Sequence, residues 1–222
     1  MFTGGFRSIF PPTFDAGLAS KWWLAGGVAA GDCVAAYQAK GAASYAASKV
    51  NLANPGTYDA ADGAAYPTWY AATGWTFDGT KWLTTEVIPQ STNSMIVSMA
   101  GSNSSYVCGC SISNTHRFSF LLGSPSYWLY GTGAAATVSS PAVTGGVLAL
   151  AGVKAYRDGD YLSSSGSLWG NLSIGCAIGA ARTTGGAVLS AKLTGIITAF
   201  AFYSATLTAT QVAAITAAMQ AL

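Results

Sequence analysis

This sequence predicts an all-β fold, an antiparallel two-sheet jelly-roll sandwich with an N-terminal arm and a short C-terminal helix. Three observations carry the prediction. From Trp69 onward, short runs of β-branched and aromatic residues recur between Gly, Asn and Asp turn signals. The strand–helix–strand alternation of a nucleotide-binding fold is absent. Near the C-terminus stands an apolar run, Leu193 to Tyr203, followed by one amphipathic segment.

That run holds more apolar groups than one wetted sheet face needs, so burial on both sides is expected. Ser204 to Leu222 reads as a helix. Thr208 and Gln211 stand in capping-box register, and Leu207 and Val212 flank them as a hydrophobic staple. Val212, Ile215, Met219 and Leu222 form one apolar stripe at helical spacing.

Composition limits the function classes. The 222 residues suffice for one large all-β domain or two small ones. Charged residues are only 8%, against roughly 25% in ordinary soluble domains. Aromatic residues reach 12%, so a packed core is feasible and the polar surface is mostly hydroxyl. A surface with little charge repulsion tolerates close neighbours and favours assembly. The ten Lys and Arg are scattered singly, which gives no electrostatic footprint for nucleic acid. No apolar run is long enough for a membrane-spanning helix, and the first residues lack the continuous apolar stretch of a Sec signal peptide.

In chain order, residues 1–31 read as an arm. Pro11 and Pro12 break any regular pattern, and Lys21 to Leu24 is a dense aromatic cluster. Phe6, Phe10, Phe14, Trp22 and Trp23 either pack back on the body or dock on a neighbouring subunit. The domain proper is expected over residues 32–222. Asp32 to Gln38 reads as a strand or a short helix, and Lys40 to Ser48 has some helix propensity. Val50 to Tyr66 is turn-rich. Trp75 to Phe77 and Lys81 to Thr85 read as a hairpin about Asp78-Gly79, with Trp75, Phe77 and Trp82 as anchors. Ser94 to Ala100, Val107 to Ile112, Arg117 to Leu122 and Ser126 to Tyr130 are strands, and Gly131 to Ser140 reads as loose chain. Gly146 to Tyr156 is a strand or strand pair. It turns at Arg157 to Asp160 and returns through Tyr161 and Leu162. Leu168 to Ile178 is a further strand, and Ala180 to Gly186 a loop.

Several stretches resemble the concanavalin A-like lectin/glucanase superfamily, nearest to its laminin-G-like branch. They are FDGTKWLTT (Phe77 to Thr85), GVKAYRDGDYL (Gly152 to Leu162), LSIGCA (Leu172 to Ala177) and the closing strand and helix through Met219. Gly195, Ile197, Tyr203, Leu207, Thr208 and Gln211 carry the closing motif, and the match covers roughly residues 70 to 222. Val34 to Ala60 resembles the leader of tailed-phage and prophage proteins that precedes the same domain. The resemblance implies a virion-associated structural protein, such as a tail, fibre or capsid-decoration component. Its partners would be further copies of itself and other virion proteins. A glycan-binding adhesin and a glycoside-acting enzyme with a degenerate site are the alternatives.

For catalysis, a glycosidase needs two carboxyl groups flanking the scissile bond. Glu86 has no acidic neighbour two or four residues on, and Asp158 and Asp160 straddle a turn glycine. His116 lacks a nucleophile-elbow motif nearby. The chain is therefore expected not to be an enzyme. No cofactor is expected. Calcium is the one metal the resemblance admits, with Asp158, Asp160 and Asn171 as its ligands. For a cell-surface glycan, flat rings near strand ends would matter: Trp69, Tyr70, Tyr127, Trp128, Tyr130 and Trp169. Cys108 and Cys110 are too far apart along one strand face for an easy mutual disulfide. The four cysteines read as free fillers, with a disulfide to Cys176 or Cys33 as the other reading.

Overall fold

The computed structural model describes residues 21–102, 104–113, 116–131, 137–164 and 172–222. The chain forms β1 (Cys33–Gln38), α1 (Tyr45–Ser48), β2 (Ala61–Asp62), β3 (Thr68–Tyr70), β4 (Gly74–Asp78), β5 (Leu83–Thr84), β6 (Ser94–Gly101) and β7 (Tyr106–Ser113). It continues with β8 (His116–Leu121), β9 (Ser126–Gly131), β10 (Thr137–Ser140), β11 (Gly145–Ala151), β12 (Lys154–Arg157), β13 (Asp160–Ser164), β14 (Ala177–Ile178), β15 (Thr194–Tyr203) and α2 (Ala209–Gln220).

These strands make two antiparallel sheets, so the fold is an all-β sandwich with a short C-terminal helix. The first sheet runs β13-β12-β11-β6-β15-β4-β3, with β1 also paired to β15. The second runs β10-β9-β8-β7-β14-β5-β2. β15 sits well inside the first sheet, and from Ala199 to Tyr203 it is covered on both faces, as its apolar content requires. Ile197, Phe200 and Phe202 point between the sheets, into a core with Tyr37, Trp75, Phe118 and Trp128. Ala199, Ala201 and Tyr203 point the other way, into a second core beneath α2.

The second core explains the helix. Val212, Ile215 and Met219 are buried there, and each contributes about 1.5–3 kcal/mol. The capping box forms: the Gln211 N–H donates to Thr208 Oγ1 at 3.3 Å, and the Thr208 N–H donates to Gln211 Oε1 at 2.9 Å. Trp22 and Trp23 complete this core, at 2% and 9% exposure. The Trp22 indole donates to Gln38 Oε1 at 3.1 Å, and the Tyr203 hydroxyl donates to the Trp23 carbonyl at 2.9 Å. The two tryptophans of the expected docking arm are thus spent on this chain's own body. Phe6, Phe10 and Phe14 lie outside the described residues.

Three expectations need correction. The stretch about Asp78-Gly79 is not a hairpin, because β4 and β5 belong to different sheets. Asp78 folds the crossing through its carboxylate, which accepts from the Thr80 N–H at 3.0 Å and from the Thr80 hydroxyl at 2.6 Å. The hairpin partner of β4 is β3. Thr137–Ser140, read as loose, is a strand paired with β9. Of the run Leu168 to Ile178, only Ala177–Ile178 is seen as strand, residues 168–171 lying outside the described part. Cys33, Cys108, Cys110 and Cys176 are free buried thiols.

Candidate functional site

The described residues cover only half of the outer face of the first sheet. α2 and the tryptophan segment close the half over β11, β12 and the end of β15. The other half holds an open depression of about 270 Å³, lined by Lys40, Ala72, Thr73, Ser98, Met99, Ala100, Ile196 and Thr198.

A bulge builds this place. The pairing of β15 with β6 shifts between Ile197 and Ala199, which leaves Thr198 as the extra residue. Its carbonyl accepts from the Ala39 N–H at 2.9 Å and the Lys40 N–H at 3.1 Å. Its hydroxyl donates to the Ser98 carbonyl at 3.3 Å. So the bulge pins the chain leaving β1 against the sheet and sets Lys40 on the rim. The Gly41 N–H then donates to the Ala71 carbonyl at 2.7 Å, which joins this rim to the β3–β4 turn.

Tyr70 and Trp69 flank the turn in different roles. Trp69 pairs with Trp75 and packs half-buried against the main core. Its indole N–H donates to the Ala39 carbonyl at 2.8 Å, so it is a strut under the rim. Tyr70 faces outward and is 57% exposed. Its partner across the hairpin is Gly74, and a Cβ on Gly74 would lie 3.2 Å from the Thr198 Cα. Tyr70, Gly74 and Thr198 therefore cross the sheet in one row, with Tyr70 about 10 Å from Thr198. Gly74 is buried within this row: a Cβ there would meet the Ile197 carbonyl oxygen at 2.5 Å and the Ala39 Cβ at 3.3 Å, so close-packed backbone and Ala39 join the ring to the depression. The result is a flat ring, a floor of hydroxyl and small apolar groups, and one cation.

The other aromatic candidates among the described residues do not gather here. Trp128 and Tyr130 are core rings at 1% exposure, not surface platforms. The two share the inward face of β9, and the Trp128 indole donates to the Tyr156 carbonyl at 3.2 Å. Tyr127, on the opposite face of β9, is half-exposed, but it belongs to the second sheet. Trp169 lies outside the described residues. A second exposed group joins Tyr45, Lys49, Asp62 and Tyr66. The Tyr45 hydroxyl donates to Asp62, Lys49 Nζ donates to both Asp62 oxygens at 3.0 Å, and it also stands 4.5 Å over the Tyr45 ring. Burial and then the Asp62 hydrogen bond push the Tyr45 hydroxyl well above its ordinary pKa. These groups satisfy one another and tie α1 to β2.

Of the expected calcium ligands, Asp158 is already engaged by the fold. Asp158 Oδ1 accepts from the Val147 N–H at 2.8 Å, and Oδ2 lies 3.5 Å from Arg157 Nε. That carboxylate holds the β12–β13 turn against β11. Asp160 is exposed at the start of β13, and Asn171 lies outside the described residues. Among the described residues no three His, Cys, Asp or Glu side chains come together as a metal site.

No family model matches the sequence. No curated protein matches it either. Solved structures do share the sandwich. Domain 4 of AbnA, a GH43 extracellular arabinanase from Geobacillus stearothermophilus, in complex with arabinotriose, superposes with a TM-score of 0.53 at 14% identity. The match covers 83% of this chain and 98% of that domain. Trypanosoma rangeli sialidase in complex with sialic acid gives 0.56 at 15% identity, over 84% of this chain. The chain spans only 33% of that sialidase. At these identities the likeness carries the fold alone, a two-sheet β-sandwich. It also overturns the expectation that the chain is not an enzyme, because sandwiches of this architecture occur within two glycoside hydrolases. Among the described residues no helix is long and apolar enough to cross a membrane.

Proposed function

We propose that this chain is a carbohydrate-recognition sandwich that binds an oligosaccharide on the uncovered half of its first sheet. The observation that carries the reading is the row of Tyr70, Gly74 and Thr198 beside the depression. A sugar ring presents one apolar face and a rim of hydroxyls. Tyr70 offers a flat surface for the first, while Ser98, Thr198, Thr73 and Lys40 offer donors and acceptors for the second. The arabinanase domain, nearly the same size as this chain and solved with arabinotriose, supports the reading.

The test is a glycan array followed by calorimetry on the best ligand. Tyr70→Ala should weaken binding roughly 3–10-fold, the worth of one ring contact, and leave the thermal midpoint unchanged. Lys40→Ala should also weaken it. An array without signal, or affinity indifferent to both changes, would sink the assignment.

The setting proposed for this module is a virion, on the strength of the leader-like stretch Val34 to Ala60 and the sparsely charged surface. Mass spectrometry of purified particles decides it. A chain lacking residues 1–20 should be left out of particles while still folding, and normal incorporation would remove the arm from the account.

A further inference from the structure

Two of the buried thiols face each other. Ile178 pairs with Cys108 and Ala177 with Gly109 between β14 and β7, so Cys176 comes next to Cys110 in the same register. The Cys176 thiol lies 3.6 Å from Cys110 Sγ. Both belong to the core between the sheets and both are fully buried. Cys108, two residues along, lies beside Met95 Sδ at 3.8 Å instead. Cys33 sits in the other core, across the first sheet.

The backbone on the two sides of the pair is held by different partners. The Cys176 N–H donates to the Val87 carbonyl at 3.1 Å, and its own carbonyl accepts from the Thr85 N–H at 2.8 Å. Beside Cys110, the Gly109 carbonyl and the Ser111 N–H are taken by Arg182. Among the described residues, Cys176 and Cys110 therefore share no main-chain hydrogen bond, and closing the sulfurs on each other breaks none between them. A disulfide needs its sulfurs about 2.0 Å apart, so an approach of roughly 1.6 Å suffices.

We infer that Cys110 and Cys176 are a modification site, joined as an internal disulfide when this chain folds in an oxidising milieu. A low-molecular-weight disulfide is the oxidant. One protein thiolate attacks it, forming a mixed disulfide and releasing one small thiol. The second protein thiolate then attacks the protein sulfur and displaces the other small thiol. One S–S bond forms in the protein and one is lost from the oxidant, and each protein thiol gives up its proton. Burial pushes the Cys110 thiol well above its ordinary pKa, so exchange in the closed, reduced fold is slow. The reaction belongs to folding, or to opening of the two-residue strand β14. The bond closes a long loop between positions 66 apart and fastens β7 to the chain entering β14.

The experiment refolds the full chain in mixed reduced and oxidised glutathione, alkylates it, and maps its peptides without reduction. The expected map shows Cys110 linked to Cys176, with Cys33 and Cys108 alkylated. The oxidised form should melt roughly 5–15 °C above the reduced form, and a double Cys110→Ala/Cys176→Ala variant should melt alike with and without reductant. Four alkylated cysteines, or a link through Cys33 or Cys108, overturns the inference. So does an oxidised form less stable than the reduced one. The map needs no variant to fold, and its outcome is independent of whether any glycan binds.

Discussion

Gly74 shows how one residue governs the candidate face. It has φ +98°, and an added Cβ would fall 2.5 Å from the Ile197 carbonyl oxygen. Gly74→Ala should cost on the order of 2–4 kcal/mol by urea denaturation, since both conformation and space oppose it. An unchanged midpoint would mean that β4 and β15 are not packed as described. Asp158 is a second such residue. Asp158→Ala leaves the Val147 N–H without its partner and should cost about 1–2 kcal/mol. At this scale the sequence is only partly legible. The alternation of Tyr127, Trp128, Leu129 and Tyr130 shows that neighbours point opposite ways. It does not say which parity faces the core, and the structure buries Trp128 and Tyr130. Lys40, Ser98, Ile196 and Thr198 carried no signal as a group, because a bulge in β15 assembles them from distant positions.

Among the elements, α2 was the most legible. Its cap, its staple and its stripe are all local patterns with a period of 3.6 residues. Ile215→Ala should destabilise the fold by about 2–5 kcal/mol, and Thr208→Ala by about 1 kcal/mol, both read from denaturant midpoints. Equal costs would deny that α2 is held mainly by burial. The stretch about Asp78-Gly79 was misread for the opposite reason. A turn signal says that the chain bends, and the same Asp-Gly bend serves a hairpin or a crossing between sheets. Trp75 and Phe77 enter the core from one sheet and Leu83 from the other, an arrangement that fills the interior from both sides.

For the molecule as a whole, the buried acids set an alkaline limit. Burial raises the Cys33 thiol to about 12, with a smaller opposing effect from the Ala35 backbone. Burial also raises Cys108, Cys110, Tyr37 and Tyr203. Below about pH 7.5 these groups are protonated in both folded and unfolded chains and contribute no pH dependence. Above that, the unfolded chain's thiols, and later its phenols, release protons that the folded chain keeps. Stability should therefore fall from about pH 8 upward, through the range where the folded groups would ionise. Melting under reductant between pH 7 and 11 checks this, and a flat profile would show these side chains to be solvated. Asp78 behaves in the reverse sense. Hydrogen bonds from Thr80, then Lys81, lower its carboxyl to about 2, so any contribution is present above its unfolded value and lost as pH falls toward 2. Its exposure keeps that contribution small, and a carboxyl shift titration by NMR reads the midpoint directly.

The amino-acid order alone determined the sandwich class, the buried course of Leu193 to Tyr203 and the closing helix, because alternation, capping and turn chemistry act between near neighbours. The tertiary structure alone decided which rings face water, how Trp22 and Trp23 are used, and that Cys176 meets Cys110. Those outcomes depend on strand order and register, and on a single-residue bulge. Such features bring together residues up to 180 positions apart, as in the Tyr203 hydrogen bond to Trp23. Local periodicity carries no record of pairing at that range.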